Sequence, residues 1–273
     1  MVKTVAILTD FGYKDAYVGV MKGVMLGINS KLNFVDVSNE IEPFNILSAA
    51  YVLYTAWDYF PEDTTFLAVV DPGVGSSRKI LISCCDNKYL VTPDNGTVSM
   101  LERMKKNLVH YNIDGLVLEK VLTADNNTFH GRSIFAPLAA NIATYGIDFV
   151  RAKKKTVPVV LDYIKPEPNP AKGTLRGRIM HIDRFGNCVT NVFESDIRPD
   201  RYQKPSRVLE LHISGHTIHG LCNFFSEAEP GKPLCYIGSS GFLEIGVREG
   251  SACKVLKLKN NVEFLIKNLI NLP

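Results

Sequence analysis

The residues best suited to chemistry lie in the stretch Thr65–Arg78, TFLAVVDPGVGSSR, where an acid and a guanidinium stand seven positions apart. Thr65–Val70 is apolar and β-branched and reads as a buried strand. It runs into Asp71-Pro72-Gly73-Val74-Gly75, where Pro72 has no amide hydrogen for a ladder. Gly73 and Gly75 allow positive φ and let backbone amides face a small ligand. Asp71 then sits at the carboxyl end of a strand, where open α/β sheets place their ligands, and Arg78 can fold back onto it. A turn carrying a surface ion pair, worth little energetically, is the alternative reading.

Two further sites have the same character. Val5–Thr9 reads as a first strand and ends in Asp10-Phe11-Gly12, a second strand-end carboxylate beside a glycine. Asn126–Arg132 opens a helix through Ile134, Phe135, Leu138, Ala139 and Ile142. With Thr128 as its cap, His130 and Gly131 lie at the helix start, where free amides favour anions. A lone histidine there can equally be structural. The Asp-Phe-Gly triplet also occurs in protein kinases, but here no Gly-rich loop, strand lysine or catalytic loop precedes it.

These residues need strands and helices to position them. A helix over about 15–28 follows the first strand, with Tyr17, Val20, Met21 and Val24 at core spacing. Gly19, Gly23 and Gly27 recur every four positions, which predicts close approach of another backbone. A strand at Phe34–Val37, a helix over about 45–59 and the strand into Asp71 complete a β-α-β-α-β order, hence a mostly parallel sheet with helices on its faces. Ile80–Cys84 and Lys88–Val91 form a hairpin across Asp86-Asn87. Pro93-Asp94-Asn95-Gly96 is a dense turn signal, followed by a helix to about 105 and a strand near Leu108–Tyr111.

Residues 158–172 hold four prolines and read as a linker between an α/β domain at 1–157 and a second domain at 173–273. The second domain has short alternating strands at Arg176–Ile182, Cys188–Val192, Val208–Ile213, Thr217–Leu221, Leu234–Ile237, Leu243–Val247 and Lys254–Leu258. It reads as all-β, a small barrel or sandwich, with a short helix over 261–272. Two of its turns are polar: Asp183-Arg184-Phe185-Gly186-Asn187, and Gly238-Ser239-Ser240-Gly241 leading to Glu244. Hairpin turns and ligand loops are both open readings of them.

Composition narrows the function classes. The 273 residues are 46% hydrophobic with net charge +3. The one basic cluster, Lys153-Lys154-Lys155, is no nucleic-acid stripe. No run approaches the ~20 apolar residues of a membrane helix. The amino terminus lacks a cleavage pattern, so a cytoplasmic location is expected. Six cysteines without CxxC or zinc-like spacing read as reduced core residues, and no metal is expected. There is no GxSxG, phosphate loop, HExxH or GxGxxG, which disfavours serine hydrolases, phosphotransferases, zinc proteases and NAD enzymes.

Six motifs in order resemble one family across nearly the whole chain: LTDFG at 8–12; Val70–Gly75 with Arg78; Pro93–Gly96; Thr128–Arg132; Ile182–Asn187; and Gly238-Ser239-Ser240. The sequence is similar to the S-adenosyl-L-methionine hydrolases, or SAM hydroxide adenosyltransferases, which are related to the bacterial fluorinase and chlorinase. The resemblance implies an α/β half and a β-barrel half, and a homotrimer with the ligand at each subunit boundary. It implies a catalytic set on Asp71, Arg78 and His130 and a ribose-binding carboxylate on Asp10. Pocket aromatics fall on Phe44 and Phe129, beside Gly131. Groups for the methionine end fall on Asp183, Asn187, Ser239 and Ser240, with Phe185 beside them, and Glu244 is a further candidate for substrate binding. S-adenosyl-L-methionine is then the substrate, with no further cofactor. Relatives often carry aspartate after the Gly-Arg pair, where this chain has Ser133.

The residue types suit that chemistry. Attack on a primary carbon beside a sulfonium releases a neutral thioether and needs neither a general acid nor a metal. Placing a water in line, accepting its proton and keeping the pocket dry remain. His130, Asp71 and Arg78 could share those tasks, and the sequence leaves open which of them takes the proton. A halogenase and a non-catalytic S-adenosyl-L-methionine or adenosine sensor are the alternative functions.

Overall fold

A computed structural model describes residues 3–113, 129–150, 154–197 and 209–269. The chain divides into two compact units, Met1–Leu161 and Asp162–Pro273.

The first unit is built on a seven-stranded mixed sheet. Its elements are β1 (Thr4–Thr9), α1 (Tyr17–Ile28), β2 (Asn33–Ser38), α2 (Ile46–Trp57), β3 (Thr65–Val69), β4 (Ile80–Cys85), β5 (Lys88–Pro93), α3 (Ser99–Met104), β6 (Val109–Asn112), α4 (Ala136–Tyr145) and β7 (Lys154–Lys155). The strand order is β2-β1-β3-β5-β4-β6-β7. The pairs β1–β2, β1–β3 and β3–β5 are parallel. The pairs β4–β5, β4–β6 and β6–β7 are antiparallel, because the 80–93 segment is a hairpin. Asp86 and Asn87 turn it with φ of 51° and 53°, the geometry of a type I′ turn.

Strand alternation sorts the core into two layers. Val5, Ile7, Leu67 and Val69 face Met21 and Met25 of α1 and Leu138, Ala139 and Ile142 of α4. Ala6, Leu8, Phe66 and Ala68 face Leu53 and Trp57 of α2. Asn45 starts α2 by accepting the Ser48 amide at 2.9 Å. The chain leaves β1 to one side for β2 and returns across it to β3, so the strand order reverses between β1 and β3. In open α/β sheets that crevice holds the ligand. Thr9 pairs with Val69, and Asp10 and Asp71 therefore emerge side by side just past the ends of these strands.

A Cβ on Gly19, Gly23 or Gly27 would meet nothing within 4 Å, so the expected close backbone approach does not occur among the described residues. The Thr128 cap lies outside them. The segment that carries Gly131 is a π-turn, Gly131–Phe135, leading into α4.

The second unit is an antiparallel, nearly closed barrel. Its strands are β8 (Glu167–Asn169), β9 (Thr174–Ile182), β10 (Cys188–Phe193), β11 (Glu210–Ile213), β12 (His216–His219), β13 (Pro233–Ile237), β14 (Phe242–Val247) and β15 (Glu263–Lys267). They run in the order β12-β11-β15-β9-β10-β14-β13, with β8 on β9. Leu175, Ile179, Val192, Leu211, Ile245 and Ile266 are among the residues that fill the interior.

Two expectations are corrected here. The 261–272 stretch holds β15, not a helix, because Phe264 and Ile266 alternate inward with Glu263 and Lys267 outward. Residues 270–272 lie outside the described ones. Lys254–Leu258 is not a strand: a one-turn helix spans Ala252–Val255, and Lys257 at φ 54° then turns the chain. Among the described residues no helix is long and apolar enough to cross a membrane.

Candidate active site

Asp71, Arg78 and His130 meet. The loop after β3 doubles back through Val74 and Ser76, whose amides bond to the Asp71 and Gly73 carbonyls. Gly75 sits at φ +80°, a conformation side chains resist. Arg78 is thereby returned to Asp71. Its Nε donates to both carboxylate oxygens, at 2.9 and 2.8 Å, and its Nη2 donates to Oδ2 as well. The same Nη2 lies 2.9 Å from His130 Nδ1. The guanidinium rests over the buried Phe135 ring, 5.1 Å from its centroid.

The two side chains are nearly out of water, at 6% exposure for Asp71 and 9% for Arg78. This is no surface ion pair. Buried charges of this kind persist only when paired and hydrogen-bonded, as here.

An arginine can only donate, so His130 accepts at Nδ1, and a neutral ring carries its proton on Nε2. The π-turn brings the histidine in by crowding Gly131. A Cβ there would lie 2.7 Å from the Phe129 ring and 3.2 Å from Met21 and Phe11. Ser133 is buried and returns its hydroxyl to the Phe129 carbonyl at 3.1 Å. The buried Nε of Arg132 has no hydrogen-bond partner among the described residues. That agrees with the missing aspartate at position 133.

Asp71 and His130 open onto a cleft of about 380 Å³, within the usual range for small-molecule sites. Asp10, Asp71, Phe44, Phe129, His130 and Gly131 all line it. Asp10 Oδ2 accepts the Phe44 amide at 2.9 Å and pins that residue at φ 67°. Such a backbone is strained for phenylalanine, and the ring is 69% exposed at the cleft rim. Burial chiefly pushes the Asp10 carboxyl above its ordinary value. The amides of Phe44 and of Asp10 itself oppose the shift, and the Asp71 charge adds to it.

Tyr17 and Phe11 join the site beyond the residues the sequence singles out. Tyr17 lies on the cleft, 5.0 Å centroid to centroid from Phe129, and Phe11 is 5.5 Å from Phe129. Helical spacing assigned Tyr17 to the core, but Met21 takes that place and Tyr17 is half exposed. The signal for it is position, one helical turn before Met21 at the end nearest Asp10.

The second unit gathers its own polar group. Asp183 Oδ1 accepts the amides of Phe185 and Asn187 at 2.9 and 2.8 Å, and its Oδ2 accepts Asn187 Nδ2 at 2.9 Å. The turn so tied leaves Phe185 78% exposed. Ser239 and Ser240 form the tip of a turn closed by the Gly241 amide on the Gly238 carbonyl. Beneath it Glu244 is 8% exposed and accepts the Tyr236 hydroxyl at 2.5 Å. A Cβ on Gly238 would collide with the Glu244 carboxylate, so the glycine lets that carboxylate lie directly beneath the turn. Burial first, and the Asp183 charge in addition, raise the Glu244 carboxyl, while the Tyr236 bond lowers it. The sequence motifs do not single out Tyr236. Its register opposite Glu244 across β13 and β14 is the signal.

Comparison with known proteins follows the same division. Residues 5–149 match the family model described as SAM hydroxide adenosyltransferase N-terminal domain, and residues 177–264 match SAM hydroxide adenosyltransferase C-terminal domain. The (R)-S-adenosyl-L-methionine hydrolase of Methanocaldococcus jannaschii is 35% identical, over 96% of this chain and 93% of its own. That of Thermus thermophilus is 31% identical, over 95% and 98%. The crystal structure of an uncharacterized conserved protein from Thermotoga maritima has a TM-score of 0.82 at 33% identity. The match covers 97% of this chain and 100% of that one.

Proposed function

This enzyme belongs to the SAM hydroxide adenosyltransferase family, and from that premise we propose that it hydrolyses S-adenosyl-L-methionine to adenosine and L-methionine. The observation that carries the reading is the convergence of Asp71, Arg78 and His130, with Asp71 and His130 lining the cleft and Arg78 bridging them from behind its wall.

Water attacks the ribose C5′ in line with the sulfonium. The C5′–O bond forms as the C5′–S bond breaks, and the electron pair stays on sulfur, so methionine leaves neutral. The attacking oxygen becomes strongly acidic as its bond to carbon forms, and a carboxylate suffices to take the proton. Arg78 is a donor only and His130 Nδ1 already accepts from it, which supports Asp71 as the proton acceptor in this reading. His130, through Nε2–H, and Arg78 orient the water and the carboxylate. The Phe11, Tyr17, Phe44 and Phe129 rings exclude bulk water from the sulfonium and can contact it through their faces. Asp10 receives the ribose hydroxyls. Asp183, Asn187, Glu244 and the Ser239-Ser240 turn, with Phe185, receive the methionine end.

The working form in this reading is a homotrimer with the ligand at each subunit boundary, in a reducing cytoplasm that suits six free cysteines. Light scattering of the purified protein tests the assembly.

The reaction is tested by incubating enzyme and S-adenosyl-L-methionine in H₂¹⁸O, followed by chromatography and mass spectrometry. Adenosine labelled at the 5′ oxygen and one equivalent of methionine are expected. Stoichiometric binding without products after many hours would overturn the hydrolase in favour of a sensor.

A further inference from the structure

The turn Pro93-Asp94-Asn95-Gly96 is prominent in the sequence but lines no part of the cleft. It touches the chain on both sides of the Asp71–Arg78 loop instead. Asn95 Nδ2 donates to the Val70 carbonyl at 2.8 Å. That carbonyl belongs to the peptide leading into Asp71, one residue beyond the point where β3 leaves its ladder with β1. The Asp94 amide donates to the Lys79 carbonyl at 3.0 Å, immediately after Arg78.

The orientation of the Asn95 amide is unambiguous. The Thr97 amide and hydroxyl reach one end of it, at 3.2 and 2.8 Å. A backbone N–H can only donate, so that end is Oδ1, and the NH₂ end must face the Val70 carbonyl, which can only accept. The turn itself is anchored. Asp94 Oδ1 accepts the Val159 amide at 2.7 Å. Gly96 lies at φ +104°, where a Cβ would come within 2.6 Å of Leu161.

We infer that Asn95 is a positioning residue: by clamping the Val70 carbonyl it holds the Asp71 carboxylate in register with Arg78 and the attacking water, without touching substrate. The inference rests on the proposed role of Asp71. Asn95→Asp is the informative variant. It keeps the acceptor for Thr97 but turns a second oxygen toward the Val70 carbonyl, replacing attraction with repulsion. When the new carboxyl is protonated it can donate again, so acid restores the clamp.

Adenosine release is measured for wild type, Asn95→Asp, Asn95→Ala, Thr97→Val and Asp71→Asn, with melting temperatures alongside. For Asn95→Asp and Asn95→Ala kcat is expected to fall about 10- to 100-fold with KM within about twofold, since small misplacements of reacting groups act at this scale. The ratio of Asn95→Asp to wild-type kcat is expected to rise as pH falls, and that of Asn95→Ala is not. Thr97→Val removes one of the two donors on Asn95 Oδ1 and serves if the Asn95 variants do not fold. It is expected to lose kcat several-fold at unchanged KM. Unchanged kcat in the folded variants, or kcat and KM moving together, overturns the inference. If Asp71→Asn retains the wild-type rate, the role of Asp71 itself fails. If Asp71→Asn is inactive while Asn95→Asp and Thr97→Val are unaffected, only the positioning role fails.

Discussion

Arg78 Nη2 lies 2.9 Å from Nδ1 of His130, and this contact sets the tautomer of the imidazole. The ring presents a donor, not a lone pair, at its other nitrogen. Asp71→Asn is therefore expected to lower the single-turnover rate of adenosine release by about 10²–10⁴-fold, the usual weight of a proton acceptor. His130→Asn, which can place an amide oxygen where Nδ1 stands, is expected to lose less than His130→Ala. Arg78→Lys is expected not to restore Arg78→Ala, because one ammonium cannot fork to both partners. An active Asp71→Asn beside an equally dead His130→Asn and His130→Ala would move the base to His130.

Asp10, the proposed ribose carboxylate, is expected to govern the acid limb of substrate binding. Its carboxyl is raised above 3.8, chiefly by burial, so it becomes protonated at a higher pH than an ordinary aspartate. The ionised form is the better acceptor for ribose hydroxyls. KM is expected to rise as pH falls through that raised value. Asp10→Asn should have a higher KM at pH 7 and no such limb, which KM measured against pH would show. An identical limb in both proteins would remove Asp10 from the ribose site.

Much of this site is readable without coordinates, for a physical reason. Asp10 and Asp71 each follow an apolar β-branched run and stand beside glycine, and strand ends of that kind are local signals. The meeting of Asp71 with Arg78 is also local, because the glycine turn returns the chain over seven residues. The partnership of Arg78 with His130 spans 52 residues and depends on how α4 packs against β3, which no local pattern encodes. Tyr17 shows a different failure. Its helical period is compatible with the core, but the first apolar position of the stripe, at the start of α1, borders the cleft and stays half exposed. The 263–267 strand is hard to read because EFLIK has helix formers as well as an inward period of two.

Glu244 holds a charge where the fold disfavours it. Its carboxyl is raised above 4.5 by burial and, less, by Asp183. A carboxyl raised in the fold contributes stability that is complete below its unfolded value and lost as pH rises through its folded value. Glu244→Gln stays neutral and can still accept the Tyr236 hydroxyl. Its melting temperature is expected to exceed that of wild type by a few degrees at pH 7–8, with the difference vanishing near pH 4. KM for S-adenosyl-L-methionine should rise, the familiar exchange of function for stability at a binding site. Thermal unfolding across pH and one KM measurement check both, and a lower melting temperature at pH 8 would contradict the buried-charge account.

Asp71 is also expected to separate hydrolysis from halogenation. A halide competing for the position of the water would have to shed its hydration shell beside this carboxylate. Two like charges about 4 Å apart repel by about 4 kcal/mol at an effective dielectric near 20. Arg78 offsets part of that, but its Nε and Nη2 are already engaged by Asp71 and His130. Water gains from the same carboxylate, which accepts its hydrogen. Incubation with S-adenosyl-L-methionine and molar chloride or fluoride is therefore expected to yield adenosine and no 5′-halo-5′-deoxyadenosine by mass spectrometry. Asp71→Ser or Asp71→Thr removes the repulsion and supplies a hydroxyl donor, and any trace of halogenated product should appear in those variants first. A halogenated product from the wild-type enzyme would show that the carboxylate does not exclude anions, and the hydrolase reading would give way to the halogenase.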